Sequence, residues 1–301
     1  MTTPPPTDDL TSAVDALFAS QVDTWPDLAK GLDGLRRVRE RRFDIGGFPI
    51  KARHLPHRIQ STMAAVDPES VARRPCFLCP ENRPEAQCGI PIDGFEIFCN
   101  PFPILEKHLT IVCAEHVPQR IVSPSAALGF PRMLDVARSL PGLMLLYNGP
   151  VSGASAPDHL HFQAASAQGV PVFDEGLENV EGTIPRYPGS VAVISGDDPE
   201  EMTSRFQDLL GSLPSLQRIG EPMLNVATVY REARWDVRVF PRARHRPGVF
   251  ERGEFAWSPG AIDMCGIPVL PVPGDLERLT PEVIASTYRE VSFRVRGGDP
   301  R

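Results

Sequence analysis

Residues 147–163 read YNGPVSGASAPDHLHFQ, and the fold and the chemistry of the chain both turn on the end of this stretch. His159-Leu160-His161-Phe162-Gln163 alternates polar with apolar side chains, the period-2 pattern of a half-buried strand. It predicts a strand over His159–Ala165. Residues two apart on a strand share a face at a spacing of about 6.5 Å. Two imidazoles and a carboxamide would then line one surface, with Leu160 and Phe162 anchoring the other. The preceding NGPVSGASAPD is small and turn-forming, and its backbone N–H groups form an expected cradle for phosphate beside the imidazoles. An imidazole is a competent nucleophile toward phosphorus when a hydrogen bond to its second nitrogen fixes the tautomer. A bare HxH is equally a pair of exposed strand histidines; the loop before it tips the reading toward chemistry.

Outward from this segment the chain reads as α+β with antiparallel sheet. Phe95–Cys99, His108–Cys113 and Met144–Tyr147 have strand patterns, with a helix over Pro124–Leu140. Ser190–Ser195 is a further strand. Asp198-Pro199-Glu200-Glu201 then supplies a cap, a first-turn proline and two acids for a helix through Leu213. Leu224–Tyr230 and Trp235–Phe240 pair through a turn at 231–234. Met264–Val272 follows as a strand, and Pro281–Val291 as a closing helix capped by Thr280. Toward the N-terminus, residues 1–9 read as a disordered leader. Leu10, Val14, Leu17 and Phe18 keep helical spacing with Asp8 or Asp9 as cap, Leu28, Leu32 and Leu35 suggest a second helix, and a hairpin surrounds Gly46-Gly47. Strand pairs followed by a helix occur near 95–140 and 222–291, which suggests two related halves without a literal repeat. The expected division is 1–75 as helices and a hairpin packed on the core, 76–215 as the catalytic half, and 216–301 as a half completing the pocket.

At 301 residues, with 42% hydrophobic and 23% charged side chains, the composition is that of a globular protein. A net charge of −7 leaves no global basic field for nucleic acid or an anionic membrane. The longest apolar runs, such as 142–147, fall far short of a membrane span, and MTTPPPTDD has no secretory pattern. The expected location is cytoplasmic, where the 6 cysteines stay reduced. Four of them, Cys76, Cys79, Cys88 and Cys99, crowd together, and CxxC at Cys76–Cys79 offers one edge of a zinc site. Lysine occurs only at 30, 51 and 107; the remaining positive charge is arginine, whose planar fork grips phosphate.

The segment Tyr147–Gln163 resembles the active-site segment of the transferase branch of the histidine-triad (HIT-like) superfamily. That branch holds galactose-1-phosphate uridylyltransferase, diadenosine tetraphosphate phosphorylase and GDP-L-galactose phosphorylase. The likeness extends to CFLCPENR at Cys76–Arg83, to FCNPFPILEKHLTIVCAEH at Phe98–His116 and, more faintly, to SPGAIDMCGIPVL at Ser258–Leu270. It implies a HIT-like antiparallel sheet with flanking helices, and a nucleotidyltransferase or phosphorylase working through a covalent nucleotidyl-histidine. His161 would attack the α-phosphorus of a nucleoside diphosphate sugar or dinucleoside polyphosphate, with inorganic phosphate or a sugar phosphate as acceptor. Gln163 would stabilise the phosphoryl oxygens, since a carboxamide cannot serve as general acid or base. His159 completes the catalytic set. Phe98 and Asn100 would touch base and ribose, Asn148, Ser152, Gly153 and Ser155 would line the phosphate path, and Arg58 would bind phosphate. A structural zinc would sit on Cys76, Cys79, His116 and His159, a reasonable tetrahedral set; Cys88 and Cys99 are rival ligands or buried thiols. The assembly to expect is a homodimer. Asp158, between proline and first histidine, has no counterpart in the uridylyltransferases and lengthens the span from Ser155 to His161 by one residue.

Three other readings compete. A HIT-type hydrolase using water would place a third histidine where Gln163 stands. A non-enzymatic zinc-stabilised binding protein would use HxH only as ligands, and a metal-dependent hydrolase would ligate through His159, His161 and Asp158. The basic run 242–246, RARHR, could neutralise a diphosphate or be a solvated loop.

Overall fold

The computed structural model describes residues 7–122, 128–174, 177, 179–180, 182–216 and 219–294, with side chains from Leu10 onward. After helices Thr7–Thr24 and Pro26–Arg36, β1 (Arg39–Ile45) and β2 (Phe48–His54) form the expected hairpin. Its turn places Gly46 and Gly47 at φ 65° and 92°, the left-handed pair that a two-residue hairpin favours. Next come β3 (Gly89–Ile92), β4 (Phe95–Cys99), β5 (Leu109–Cys113), β6 (Leu143–Asn148), β7 (His161–Ser166) and β8 (Ala192–Gly196). A short ladder of β9 (Ser215–Leu216) and β10 (Glu221–Pro222) precedes β11 (Leu224–Arg231) and β12 (Arg234–Pro241). The short β13 (Val269–Leu270) runs parallel to β2.

Eight of these strands make one sheet in the order β3-β4-β5-β7-β6-β11-β12-β8, and every neighbouring pair is antiparallel. Both faces are buried, and the side chains alternate between them as the pleat requires. Met144, Leu146, Ala165, Ala227 and Val229 enter one core; Leu145, Tyr147, Phe162, Ala164 and Val226 enter the other. Helix Phe130–Ser139 belongs to the second core and helix Pro281–Val291 to the first. β11 lies between β6 and β12, so the C-terminal strand pair extends the sheet begun by the first.

Local signals account for most boundaries. Asp198 caps helix Pro199–Gly211 by accepting from Glu200 N at 2.8 Å, and Thr280 caps Pro281–Val291 through Val283 N. Each cap stabilises its helix by about 1 kcal/mol. Four expectations need correction. The first helix is already formed at Thr7, so Asp8 and Asp9 lie inside it rather than capping it. Of the helix expected from Pro124, residues 124–127 lie outside the described residues, and the described helix begins at Phe130, after Gly129 at φ 79°. Met264–Val272 is not one strand: Ala261–Met264 is a helical turn closed by Gly260 N donating to Asp263 Oδ2 at 2.9 Å. Gly266, at φ 96°, then reverses the chain. Finally β7 starts at His161, which changes the site.

Candidate active site

On β7, Phe162 and Ala164 enter the second core while His161 and Gln163 face the other side of the sheet. The register puts His161 opposite Val112, and Gln163 between Thr110 on β5 and Leu146 on β6. His159 precedes the strand, so the expected row of two imidazoles and a carboxamide is one imidazole short. The ring of His159 turns instead toward the two cysteines of the CxxC, its Nδ1 lying 3.3 Å from Cys76 Sγ and 3.6 Å from Cys79 Sγ. Its backbone still serves the motif: His161 Nδ1 lies 2.8 Å from the carbonyl of His159. A carbonyl only accepts, so this nitrogen carries the hydrogen and Nε2 keeps its lone pair. Burial pushes the His161 pKa down to about 4, which keeps the imidazole neutral near pH 7.

Gln163 is oriented by the same logic. Ile104 N donates to His108 Nδ1 at 3.1 Å, so the His108 proton sits on Nε2 and is donated to Gln163 Oε1 at 2.9 Å. With its oxygen so engaged, Gln163 offers its NH2 group. Burial, reinforced by Arg58, pulls the His108 pKa down to about 3.

His161 and Gln163 border a cavity of about 670 Å³ together with Phe98, Asn100, Phe102, Ser155 and Arg58. That volume lies within the roughly 300–1,000 Å³ usual for small-molecule sites. Asn100 is already committed, donating to Thr110 Oγ1 and accepting from Phe102 N. Arg74 and Arg83 also border the cavity. Arg83 lies 4.4 Å over the Phe98 ring and pairs with Glu96, and Arg74 pairs with Asp158 at 2.8 Å. The additional residue in the loop is thus held by an arginine that also donates to Ser155 O.

A smaller cavity of about 60 Å³ adjoins the first; Arg58, Ser155 and Gln163 border both, and Asn148 and Gly153 border the smaller one. Ser152 borders neither, being buried with its carbonyl accepting from Asn225 and its Oγ without a partner among the described residues. The loop is a poorer cradle of backbone N–H groups than its composition suggests. Gly149 N donates to Leu224 O, and Ser152 N and Ala154 N both turn back to Gly149 O. The glycines serve close approach instead: a Cβ on Gly149 would lie 2.8 Å from Leu224 O, and Gly153 adopts φ 102°.

Cys76, Cys79, His116 and His159 converge, their ligand atoms all within 4.8 Å of one another. His159 Nε2 lies 2.8 Å from the carbonyl of Cys113, so it carries the hydrogen and Nδ1 directs a lone pair at the thiols. His116 Nδ1 lies 3.1 Å from Cys79 Sγ. Two sulfurs and two imidazoles at these separations fit a tetrahedral zinc, whose ligands stand about 2.0–2.3 Å from the metal. Cys88 is exposed and Cys99 is packed against Trp25 and Leu28, and neither joins the group.

Sequence reasoning missed Gln119, which is fully buried. It accepts from His161 N at 2.8 Å and donates to His161 O and Asn148 O at 3.1 and 2.9 Å. It bridges β6 and β7 where their ladder ends at Leu146 and Gln163. Arg74 and Arg83 flank the CxxC, and the sequence reading singles out neither as a site residue.

Residues 17–166 match the family described as a domain of unknown function, DUF4922. No curated protein matches the sequence. Among solved structures, yeast Ap4A phosphorylase Apa2 in complex with Ap4A aligns at a TM-score of 0.63 and 16% identity, over 95% of this chain and 97% of that one. Apa2 alone aligns at 0.61 and 17% identity, over 92% and 97% of the two chains. Its AMP complex aligns at 0.58 and 15%, over 97% and 98%. The chain therefore has the fold of yeast Ap4A phosphorylase Apa2, an antiparallel sheet with flanking helices as its sequence predicts.

Proposed function

We propose that the protein is a nucleotidyl-transferring phosphorylase. Its substrate would be a nucleoside diphosphate sugar or a dinucleoside polyphosphate, and its acceptor inorganic phosphate or a sugar phosphate. The observation that carries this reading is the hydrogen bond from His161 Nδ1 to its neighbour's carbonyl at 2.8 Å, which leaves a neutral imidazole with its Nε2 lone pair free in a nucleotide-sized cavity. Nε2 attacks the α-phosphorus, a P–N bond forms, and the P–O bond to the distal group breaks with its electron pair leaving on oxygen. An acceptor oxygen then attacks the same phosphorus, and the P–N electron pair returns to Nε2. Throughout, Nδ1 keeps its hydrogen on the carbonyl. The NH2 of Gln163 stabilises charge on the phosphoryl oxygens without exchanging a proton. The fold shared with Ap4A phosphorylase supports this reading.

Zinc on Cys76, Cys79, His116 and His159 would be structural, because four protein ligands leave no open position. Its bond to His159 would anchor the residue whose carbonyl orients His161.

The test is to mix the protein with a panel of nucleotide sugars and dinucleotides without acceptor. An acid-labile nucleoside monophosphate adduct should appear on the peptide spanning His159–Gln163. It should be absent from His161→Gly. An adduct on another residue, or full turnover by His161→Gly, would overturn the mechanism.

A further inference from the structure

The larger cavity has a buried floor and an exposed rim. Trp25 and Phe98 are 3% and 2% exposed, while Phe77 and Phe102 stand out at 46% and 40%. The Arg83 guanidinium covers one face of the Phe98 ring at 4.4 Å. A ligand reaching this part of the floor therefore meets the edge of the guanidinium before it meets a bare aromatic face. Two bonds fix Arg83 and leave part of it unused. Its Nε donates to Leu78 O at 2.7 Å and its Nη1 to Glu96 Oε2 at 2.6 Å. Nη2, with two hydrogens, has no hydrogen-bond partner among the described residues. The indole Nε1–H of Trp25 and the side-chain amide of Gln87, both at this cavity, have none among them either. Among the described residues no carboxylate borders the cavity, and Glu96, which Arg83 engages, is not part of its wall.

These groups sort nucleobases by the hydrogens the bases carry. Guanine presents O6 and N7, two adjacent acceptors that match a guanidinium fork. Adenine presents N7 beside an N6 amino group, which would set its hydrogens against those of Arg83 and Trp25. A buried donor facing a donor is unfavourable. Uracil offers a single carbonyl on the corresponding edge, and cytosine an amino group. Gln87 can serve either purine, because a carboxamide both donates and accepts, so the choice falls to Arg83. We infer that Arg83 is a specificity-determining residue and that the nucleotide bound beside His161 carries guanine. Its O6 and N7 accept from the free hydrogens of Arg83, and Trp25 Nε1–H supplies a further donor. The base follows from these side chains and not from the fold, which is shared with an Ap4A phosphorylase at 16% identity. The inference names the base for the transfer proposed above and rests on that reading for the nucleotide's place beside His161. The binding preference itself is measured without turnover.

The experiment is calorimetry with nucleoside monophosphates, which carry no distal group to expel. Wild type should bind GMP at least tenfold more tightly than AMP or UMP. IMP keeps O6 and N7 and should bind within threefold of GMP, whereas 7-deaza-GMP, lacking the N7 acceptor, should bind at least fivefold more weakly. Arg83→Lys keeps a cation for Glu96 but loses the fork, so GMP and AMP should then bind within threefold of each other. Should that variant melt well below wild type, the analogue series decides alone, since it needs no substitution. AMP or UMP binding as tightly as GMP, 7-deaza-GMP binding as tightly as GMP, or a folded Arg83→Lys that keeps the preference would overturn the inference. Failure of the transfer reading has a different signature: no donor labels His161, while GMP is still preferred over AMP. Failure of the base assignment alone gives His161 adducts in equal yield from guanosine and adenosine donors.

Discussion

His108 holds the carboxamide of Gln163 in a single orientation. Its Nε2–H reaches Gln163 Oε1 at 2.9 Å because Ile104 N, 3.1 Å from Nδ1, claims the other ring nitrogen. An amide free to flip would present oxygen to a phosphoryl oxygen half of the time and repel it. Fixed as it is, Gln163 always presents hydrogen.

The relation makes a coupled prediction. His108→Phe should lower the rate of nucleotidyl transfer by about tenfold, less than the roughly 100–1,000-fold cost of removing such a donor outright, with a much smaller change in nucleotide KM. Gln163→Ala alone should slow transfer and leave residual activity. In the Gln163→Ala background, His108→Phe should add little further loss, because its effect passes through the missing amide. Additive losses in the double variant would show that His108 acts by another route.

Gln119 offers a second test. Its side chain satisfies one N–H and two carbonyls inside the protein. Leucine has similar volume and none of these bonds, so Gln119→Leu leaves three backbone groups unpaired at about 1–3 kcal/mol each. Chemical denaturation should show a loss of several kcal/mol. Where the variant still folds, adduct formation on His161 should be slowed as well, because Gln119 sets the backbone on which that ring stands.

The strands around the HLHFQ segment are legible in the sequence because each carries its own period. Phe95–Cys99 is observed with the expected limits, and so is the helix Pro281–Val291 with its Thr280 cap. The turn between β11 and β12 holds Glu232 and Ala233 at φ 51° and 58°, as a two-residue hairpin requires. Where tertiary bonds override local pattern, the reading failed. Met264–Val272 is apolar enough for a strand, but Asp263 accepts from Gly260 N and Val269 N and folds the chain around its carboxylate. His159 left the strand face because its ring belongs to the cysteine cluster. Gln119 escaped notice, and His108 reads only as a packing or capping residue at the start of a strand, for a shared reason: each acts on a backbone or amide group more than forty positions away, and no spacing in the chain announces such a contact.

The cysteine–histidine cluster predicts a metal-dependent stability. Purified protein should carry about one zinc per chain. Cys79→Ser should lose it and melt well below wild type, while retaining more of its activity than of its thermal stability. Without a cation these are poor ligands, since burial raises the Cys76 thiol pKa to about 11; metal binding should therefore release protons. Elemental analysis finding no metal, or a Cys79→Ser protein with unchanged melting, would remove zinc from the site.

Continuity of the sheet leads us to propose that residues 1–75, 76–215 and 216–301 unfold together. β11 is hydrogen-bonded to β6 on one side and β12 on the other. Tyr147 and the N–H groups of Ile121 and Val122 donate to the buried carboxylate of Glu221. Separating the C-terminal segment would expose both core faces and strand that carboxylate without donors. Limited proteolysis should release no stable fragment, and denaturation should follow one transition by fluorescence and by circular dichroism.

Acid should destabilise the fold through buried neutral histidines. Burial holds His108 near a pKa of about 3 and His161 and His245 near about 4, against 6.5 for a free imidazole. Folded-state values below the unfolded value mean that the stabilisation is complete above pH 6.5 and is lost as pH falls toward 4, because only the unfolded chain takes up these protons. Each contributes a slope of roughly 1.4 kcal/mol per pH unit across that window. Asp263 works in the opposite sense. Burial raises its pKa from 3.8 to about 6, so its stabilisation is complete below pH 3.8 and is lost as pH rises through 6. Between pH 4 and 6 it offsets one of the three histidines. His245→Asn removes one of these contributions: its stability should fall less steeply with acid than that of wild type, by about one proton's worth of slope between pH 6 and 4. Urea denaturation at half-unit pH steps measures the difference directly, and parallel curves for the two proteins would show that His245 is already charged in the folded state.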